Sequence, residues 1–69
     1  MSKETVRELD QFAAPWHRVV RLEEVNHESG LRMLRIRIRE GRRFTVMDVD
    51  ETTARHWATV MHEWADSNG

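Results

Sequence analysis

The sequence predicts an α+β fold in which a three-stranded antiparallel meander packs on a C-terminal α-helix, preceded by a short N-terminal helix or arm. Apolar and charged residues alternate from Leu34 to Arg39, which is typical of a strand with one face in a core and the other in water. Gly41 follows at a point that suits a tight turn. Apolar residues at helical spacing then run from Ala54 to Ala65.

Length and composition indicate one small domain. The chain has 69 residues, 33% of them charged, with a net charge of −1. We divide it into an arm over residues 1–15 and a βββα domain over residues 16–69. A chain this short buries only about 60% of its unfolded surface, so association with another chain is a common way to enlarge the core. A free-standing nucleic-acid-binding protein is usually more basic than this.

The absence of cysteine excludes a disulfide and a thiolate zinc site. No apolar run approaches the roughly 20 residues of a membrane span. Residues 1–8 contain no apolar core of a secretion signal. We therefore expect a cytoplasmic protein with no membrane association and no cofactor.

The N-terminal segment carries a weak helical stripe. Val6, Leu9 and Phe12 are spaced by three residues and would lie on one helical face. Pro15 ends the segment, because the residue before a proline favours extended geometry. The stripe could dock on its own domain or on a partner, and the sequence leaves both alternatives open.

The first strand is predicted from Trp16 to Val25, and the turn that follows covers residues 26–30. A five-residue loop there pairs Val20 with Ile36 and therefore Leu22 with Leu34.

A three-residue loop, Arg39–Gly41, is predicted for the second hairpin. It pairs Ile36 with Phe44. We reject a two-residue loop at Glu40 and Gly41, because it would pair Arg37 with Phe44 and mix the two faces. The helix is then expected to cover one apolar sheet face, which consists of Val20, Leu22, Leu34, Ile36, Ile38, Phe44 and Val46.

The helix has two candidate N-caps. Asp48 and Glu51 have the spacing of a capping box, and Asp50 competes with Asp48 for the role. The apolar stripe of the helix consists of Ala54, Trp57, Ala58, Met61, Trp64 and Ala65.

The uncovered side of the predicted sheet carries the candidate partner-binding residues. Its arginines are Arg21, Arg35, Arg37, Arg39 and Arg43. The guanidinium group suits carboxylates and phosphates because its planar fork donates hydrogen bonds in pairs. Met33 and Met47 face each other on this side in the predicted register and form an apolar island beside Val19. An acidic protein surface, a nucleic acid and water alone are the three alternatives for what meets these arginines.

No catalytic or metal site is predicted. The four histidines are His17, His27, His56 and His62. The last two are six residues apart and point to different sides of a helix, and no His-Glu-x-x-His spacing occurs. No nucleophile lies beside a base, and we expect a non-catalytic protein.

The segment Ile38-Arg39-Glu40-Gly41-Arg42-Arg43-Phe44, followed by an acidic cap and an Ala-rich helix, resembles two DNA-binding types. These are the plant AP2/ERF domain and the arm-binding domain of phage-type tyrosine recombinases. The resemblance covers Trp16 to Ala65 and implies that Arg35, Arg37 and Arg43 are candidate base readers. The chain also resembles short uncharacterised bacterial proteins. Architecture by itself does not define function.

Together these observations predict a small protein-interaction module or accessory subunit that binds an acidic partner surface through its arginine-rich sheet face. Self-association is expected as well. The alternative function is nucleic-acid binding through the same face. Phosphate binding falls steeply with salt concentration, whereas an interface with an apolar centre is less sensitive.

Overall fold

The structure is a computed structural model that describes residues 4–67. Four strands form one antiparallel sheet in sequence order, and a single helix follows them. The elements are β1 (Glu4–Ala14), β2 (Arg18–His27), β3 (Arg32–Glu40), β4 (Arg43–Val49) and α1 (Glu51–Asp66). The predicted α+β class, antiparallel meander and C-terminal helix are confirmed. The predicted number of strands is wrong.

The N-terminal segment, predicted as a short helix or arm, is a strand of the sheet, so the helical alternative is wrong. In β1, Val6 pairs with Val25 and Phe12 pairs with Val20 of β2. The pairing shifts between Glu8 and Asp10, so Leu9 is the extra residue of a β-bulge. Without β1, β2 would be an exposed edge. The unpaired backbone groups at that edge of β2 form hydrogen bonds with the N-terminal segment. These hydrogen bonds outweigh the weak helical preference of that segment.

The turn between β1 and β2 contains two non-glycine residues with left-handed backbone. Pro15 lies just after β1, as its backbone restriction predicts. Trp16 has φ 67° and His17 has φ 60°, a region that L-residues rarely occupy. The Trp16 side chain is 81% exposed.

The hairpin of β2 and β3 has a register two residues away from the predicted one. Val20 pairs with Ile38, and Leu22 pairs with Ile36. Gly30, with φ 92°, ends the shorter loop. A shift of two residues keeps every side chain on its predicted face.

The register of β3 and β4 differs from the predicted register by three residues, which reverses the faces of β4. Phe44 pairs with Arg39, whereas Ile36 pairs with Met47. The loop consists of Gly41 and Arg42 alone, with Gly41 at φ 62°. Glycine at the first position of a two-residue loop is typical of a type II′ turn, whose twist matches that of the strands.

The sheet therefore has two distinct sides. The arginine face, as we call it from here on, carries Arg21, Arg35, Arg37 and Arg39. The opposite side, here the apolar face, carries Phe12, Val20, Leu22, Leu34, Ile36, Ile38, Met47 and Val49.

The helix begins at Glu51, directly after its N-cap Asp50. The Asp50 carboxylate accepts a hydrogen bond of 2.7 Å from the Thr53 backbone N–H, so Asp50 and not Asp48 caps the helix. The helix touches the sheet at its first turn, where Ala54 is half-buried. The predicted packing of the whole stripe over the sheet is wrong.

The hydrophobic core of this single chain is very small. Among residues 4–67, the buried apolar side chains are Val25 and Val49. The chain measures 48 × 30 × 15 Å, which describes a thin slab. Within the described residues, no helix is long and apolar enough to cross a membrane.

Candidate protein-interaction surface

The centre of the arginine face is neutralised by carboxylates. Glu23 is only 6% exposed and lies between two arginines of the same face. Its carboxylate accepts a hydrogen bond of 2.6 Å from Arg37 and lies 3.8 Å from Arg21. Arg21 also lies 3.2 Å from Glu8 of β1. A buried carboxylate needs such partners, so these two arginines stabilise the sheet.

Arg35, the neighbour of Arg37 on this face of β3, is also held by carboxylates. Its guanidinium donates two hydrogen bonds to Asp48, of 2.8 and 3.0 Å, and lies 3.5 Å from Glu4. The hydrogen bonds from Arg35 lower the pKa of Asp48. The same pair raises the pKa of Arg35, mainly through its hydrogen bond to Asp48. Bidentate pairs of this kind fix geometry as well as charge.

Arg39 lies at the opposite end of this face and has no ion pair among the described residues. Arg39 pairs with Val19 of β2 on one side and with Phe44 of β4 on the other, and Val46 pairs with the neighbouring Arg37. Phe44 is 68% exposed and Val46 is 50% exposed. These residues line an open depression together with Gln11, Arg21 and Arg37. We call Val19, Arg39, Phe44 and Val46 the open end of the arginine face.

The structure separates the predicted partner-binding residues. Arg43 pairs with Glu40 on the apolar side of the sheet, so its predicted place among the arginines of the opposite side is wrong. Met47 also lies on the apolar face, whereas Met33 pairs with Val25 on the arginine face. The predicted island of facing methionines is therefore wrong, because the three-residue register shift moves β4 side chains to the other side.

The sequence predicts Val19 on the arginine side, but it misses Phe44 and Val46 of the open end and most of the carboxylates. The sequence predicts Phe44 and Val46 in the core. The alternation along β4 shows that these two residues share a side, but the predicted register places that side on the wrong face of the sheet. Glu4 and Glu8 belong to a strand that the sequence predicted as a helix or arm. Nothing in the local sequence indicated that they would meet Arg35 and Arg21.

A second ionic network joins the sheet to the start of the helix. Glu24 lies 3.0 Å from Arg7 and 3.4 Å from Arg32. Arg32 also lies 3.2 Å from Glu51, which in turn lies 3.0 Å from Arg55. The hydrogen bond from Arg7 lowers the pKa of Glu24, and hydrogen bonds from Arg55 and Arg32 lower the pKa of Glu51. The network ties the first turn of the helix to β3.

The histidines do not converge. His27 lies 3.7 Å from Glu4, and His62 lies 3.2 Å from Asp66. Across residues 4–67, no group of three or more potential ligands is arranged to hold a metal ion.

The fold and this surface define a small α+β protein with a four-stranded antiparallel meander and one C-terminal helix. The chain belongs to DUF6967, a family of unknown function, whose model matches residues 3–67. Comparison with curated proteins and with solved structures gives no significant match.

Proposed function

We propose that this protein is a non-catalytic interaction module that binds an acidic partner protein through the open end of its arginine face. One observation carries the proposal: Arg39 lacks an ion pair within residues 4–67 and stands beside the exposed side chains of Phe44 and Val46. An arginine next to an aromatic residue, with apolar neighbours, is the composition typical of interface centres.

The partner chemistry follows from the neighbouring charges. Arg21, Arg35 and Arg37 are each within ion-pair distance of a carboxylate of the same chain. Arg39 is therefore the cation of this face best able to accept a new carboxylate. We expect a partner segment that presents an acidic side chain beside an apolar one. An accessory subunit of a larger enzyme would use its surface in this way.

The test is capture of partners from a lysate of the source organism by tagged protein, with the variant Arg39→Glu. We expect the variant to lose the partner that the unchanged protein retains at moderate salt. The matched control is Arg43→Glu, which makes the same charge change on the other side of the sheet and should retain the partner. Equal capture by both variants would contradict the proposal.

Nucleic-acid binding through the same face is the alternative outcome. Nuclease treatment of the lysate and a salt titration separate the two functions, because phosphate contacts release counterions and weaken steeply with salt. Recovery of nucleic acid that is lost at higher salt would show that this face binds nucleic acid and not a protein partner. The internal pairing of Arg21, Arg35 and Arg37 leaves few cations for phosphates, which favours the protein.

A further inference from the structure

We infer that two copies of this chain form a homodimer in which the apolar stripe of each helix packs on the apolar face of the other copy's sheet. The inference concerns the side of the sheet opposite the open end of the arginine face. It therefore stands or falls separately from the proposed function.

Both apolar surfaces are open in the single chain. On the helix, Trp57 is 38% exposed, Met61 is 59% exposed and Trp64 is 78% exposed. On the sheet, Phe12 is 45% exposed and Met47 is 39% exposed. Contiguous apolar surfaces of this kind mark interaction sites on soluble domains.

The size of the exposed surface points to an obligate partner. The chain exposes 5981 Å², whereas a compact monomer of 8.2 kDa exposes about 4,500 Å². The excess is about 1,500 Å² per chain, or about 3,000 Å² for two copies, and the latter lies within the roughly 2,000–5,000 Å² of obligate dimer interfaces. The Cα radius of gyration is 14.1 Å, against about 11 Å for a compact chain of this length.

The connection between sheet and helix explains why the stripe does not cover its own sheet. Asp50 alone separates β4 from α1, whereas loops that return a helix onto its sheet usually have about two to three residues. The N-cap bond from Thr53 to Asp50 and the 3.2 Å contact between Arg32 and Glu51 also fix the direction of the first turn. The helix is therefore directed away from its own sheet.

The two surfaces match in length and chemistry. The 16-residue helix is about 24 Å long, and the seven residues of β4 span about 23 Å. The stripe supplies large side chains, and the sheet supplies a row of aliphatic ones. A two-fold exchange of helices covers both surfaces at once and closes the assembly at two copies.

The oligomeric state of the full chain tests the inference by light scattering or sedimentation at micromolar concentration. We expect twice the chain mass of 8.2 kDa. The variant Trp64→Glu should halve that mass, since this side chain is largely exposed in the single chain and its loss removes little from the monomer fold. Thr59→Glu, on the opposite side of the helix, is the matched control and should stay dimeric.

A second pair of variants tests the sheet side. Met47→Glu places a charge on the apolar face and should dissociate the dimer. Val46→Glu places the same charge one residue earlier, on the arginine face, and should leave the dimer intact while weakening partner capture. A monomeric mass for the unchanged chain would overturn the inference, and so would dissociation by Val46→Glu but not by Met47→Glu.

Cross-linking identifies which sheet the helix covers. The chain contains no cysteine, so Ala58→Cys and Leu22→Cys can be introduced in separate proteins that carry tags of different size. When the two proteins are mixed, a bis-maleimide should cross-link one to the other. It should cross-link either protein to a second copy of itself less strongly. With both cysteines in one chain, cross-linking that yields single chains alone would show a helix folded on its own sheet and would overturn the inference.

Discussion

Arg35 and Asp48 face each other across β3 and β4 and share two hydrogen bonds, of 2.8 and 3.0 Å. The Arg35 side chain is 18% exposed and the Asp48 side chain is 29% exposed, so the pair is partly shielded from water. A register displaced by one residue would put the two side chains on opposite sides of the sheet. The pair therefore helps to determine which β4 side chains lie on the arginine face of the sheet.

We expect Asp48→Asn to lower the free energy of unfolding by about 1 kcal/mol, near the upper end for partly exposed ion pairs. The amide cannot accept both charge-assisted bonds, and Arg35 loses its main partner. Urea unfolding followed by circular dichroism measures the change. Glu8→Gln is the control, because the contact of Glu8 with Arg21 is well exposed. An equal effect of both variants would contradict a special role of the Arg35–Asp48 pair.

Stability should fall in acid. Asp48, Glu24 and Glu51 have pKa values lowered by hydrogen bonds from arginines, below their ordinary values of 3.8 and 4.5. Because the folded chain binds these protons less tightly than the unfolded chain, the contribution is fully present above the ordinary values. It is lost as the pH falls through the lowered ones.

Unfolding in urea at a fixed protein concentration, between neutral pH and pH 3, measures this acid dependence. The double variant Glu24→Gln with Asp48→Asn should show a flatter profile than the unchanged chain. A free energy of unfolding that rises on acidification would rule out the assigned direction.

The turn between β3 and β4 requires glycine at position 41. A Cβ atom at Gly41 would meet nothing within 4 Å, but φ is 62°, a region that costs an L-residue about 1–2 kcal/mol. We therefore expect Gly41→Ala to destabilise by about 1 kcal/mol. Gly41→Asn should cost less, since asparagine tolerates this conformation. Equal midpoints for alanine and asparagine in thermal unfolding would show that the turn changes its conformation.

Replacement of the helix cap should unravel the first turn. Asp50→Ala removes the acceptor of the Thr53 backbone N–H, and we expect a smaller helical signal in far-ultraviolet circular dichroism together with a lower melting temperature. Asp50→Ser restores an acceptor and should recover most of both. If alanine and serine behave alike, the cap does not hold the helix. A dimer held by the helices should also weaken with the alanine variant.

The sequence allowed prediction of those features that depend on neighbouring residues. The alternation around Ile36 defined β3, Gly41 located a turn, and the stripe that includes Trp57 defined the helix. Each depends on backbone geometry within a few residues, so the pattern is visible in the chain itself. The α+β class followed from these elements.

The candidate site could be predicted only in part. The sequence correctly placed Arg35, Arg37 and Arg39 on one side of a strand, because alternation fixes sides within that strand. It could not show that Glu4 and Asp48 would meet Arg35, since those contacts depend on pairing between distant segments. The sequence predicts Arg43 on the wrong side for the same reason.

The sequence by itself determined where the chain forms β3 and α1, because local periodicity and turn chemistry are encoded residue by residue. Only the tertiary structure decided that the first segment is a strand, that Phe44 lies on the arginine face, and that α1 leaves its own sheet uncovered. The physical reason is that strand pairing and register depend on long-range hydrogen bonds and burial. Here burial in a single chain is too slight to distinguish the two faces of β4 from sequence alone.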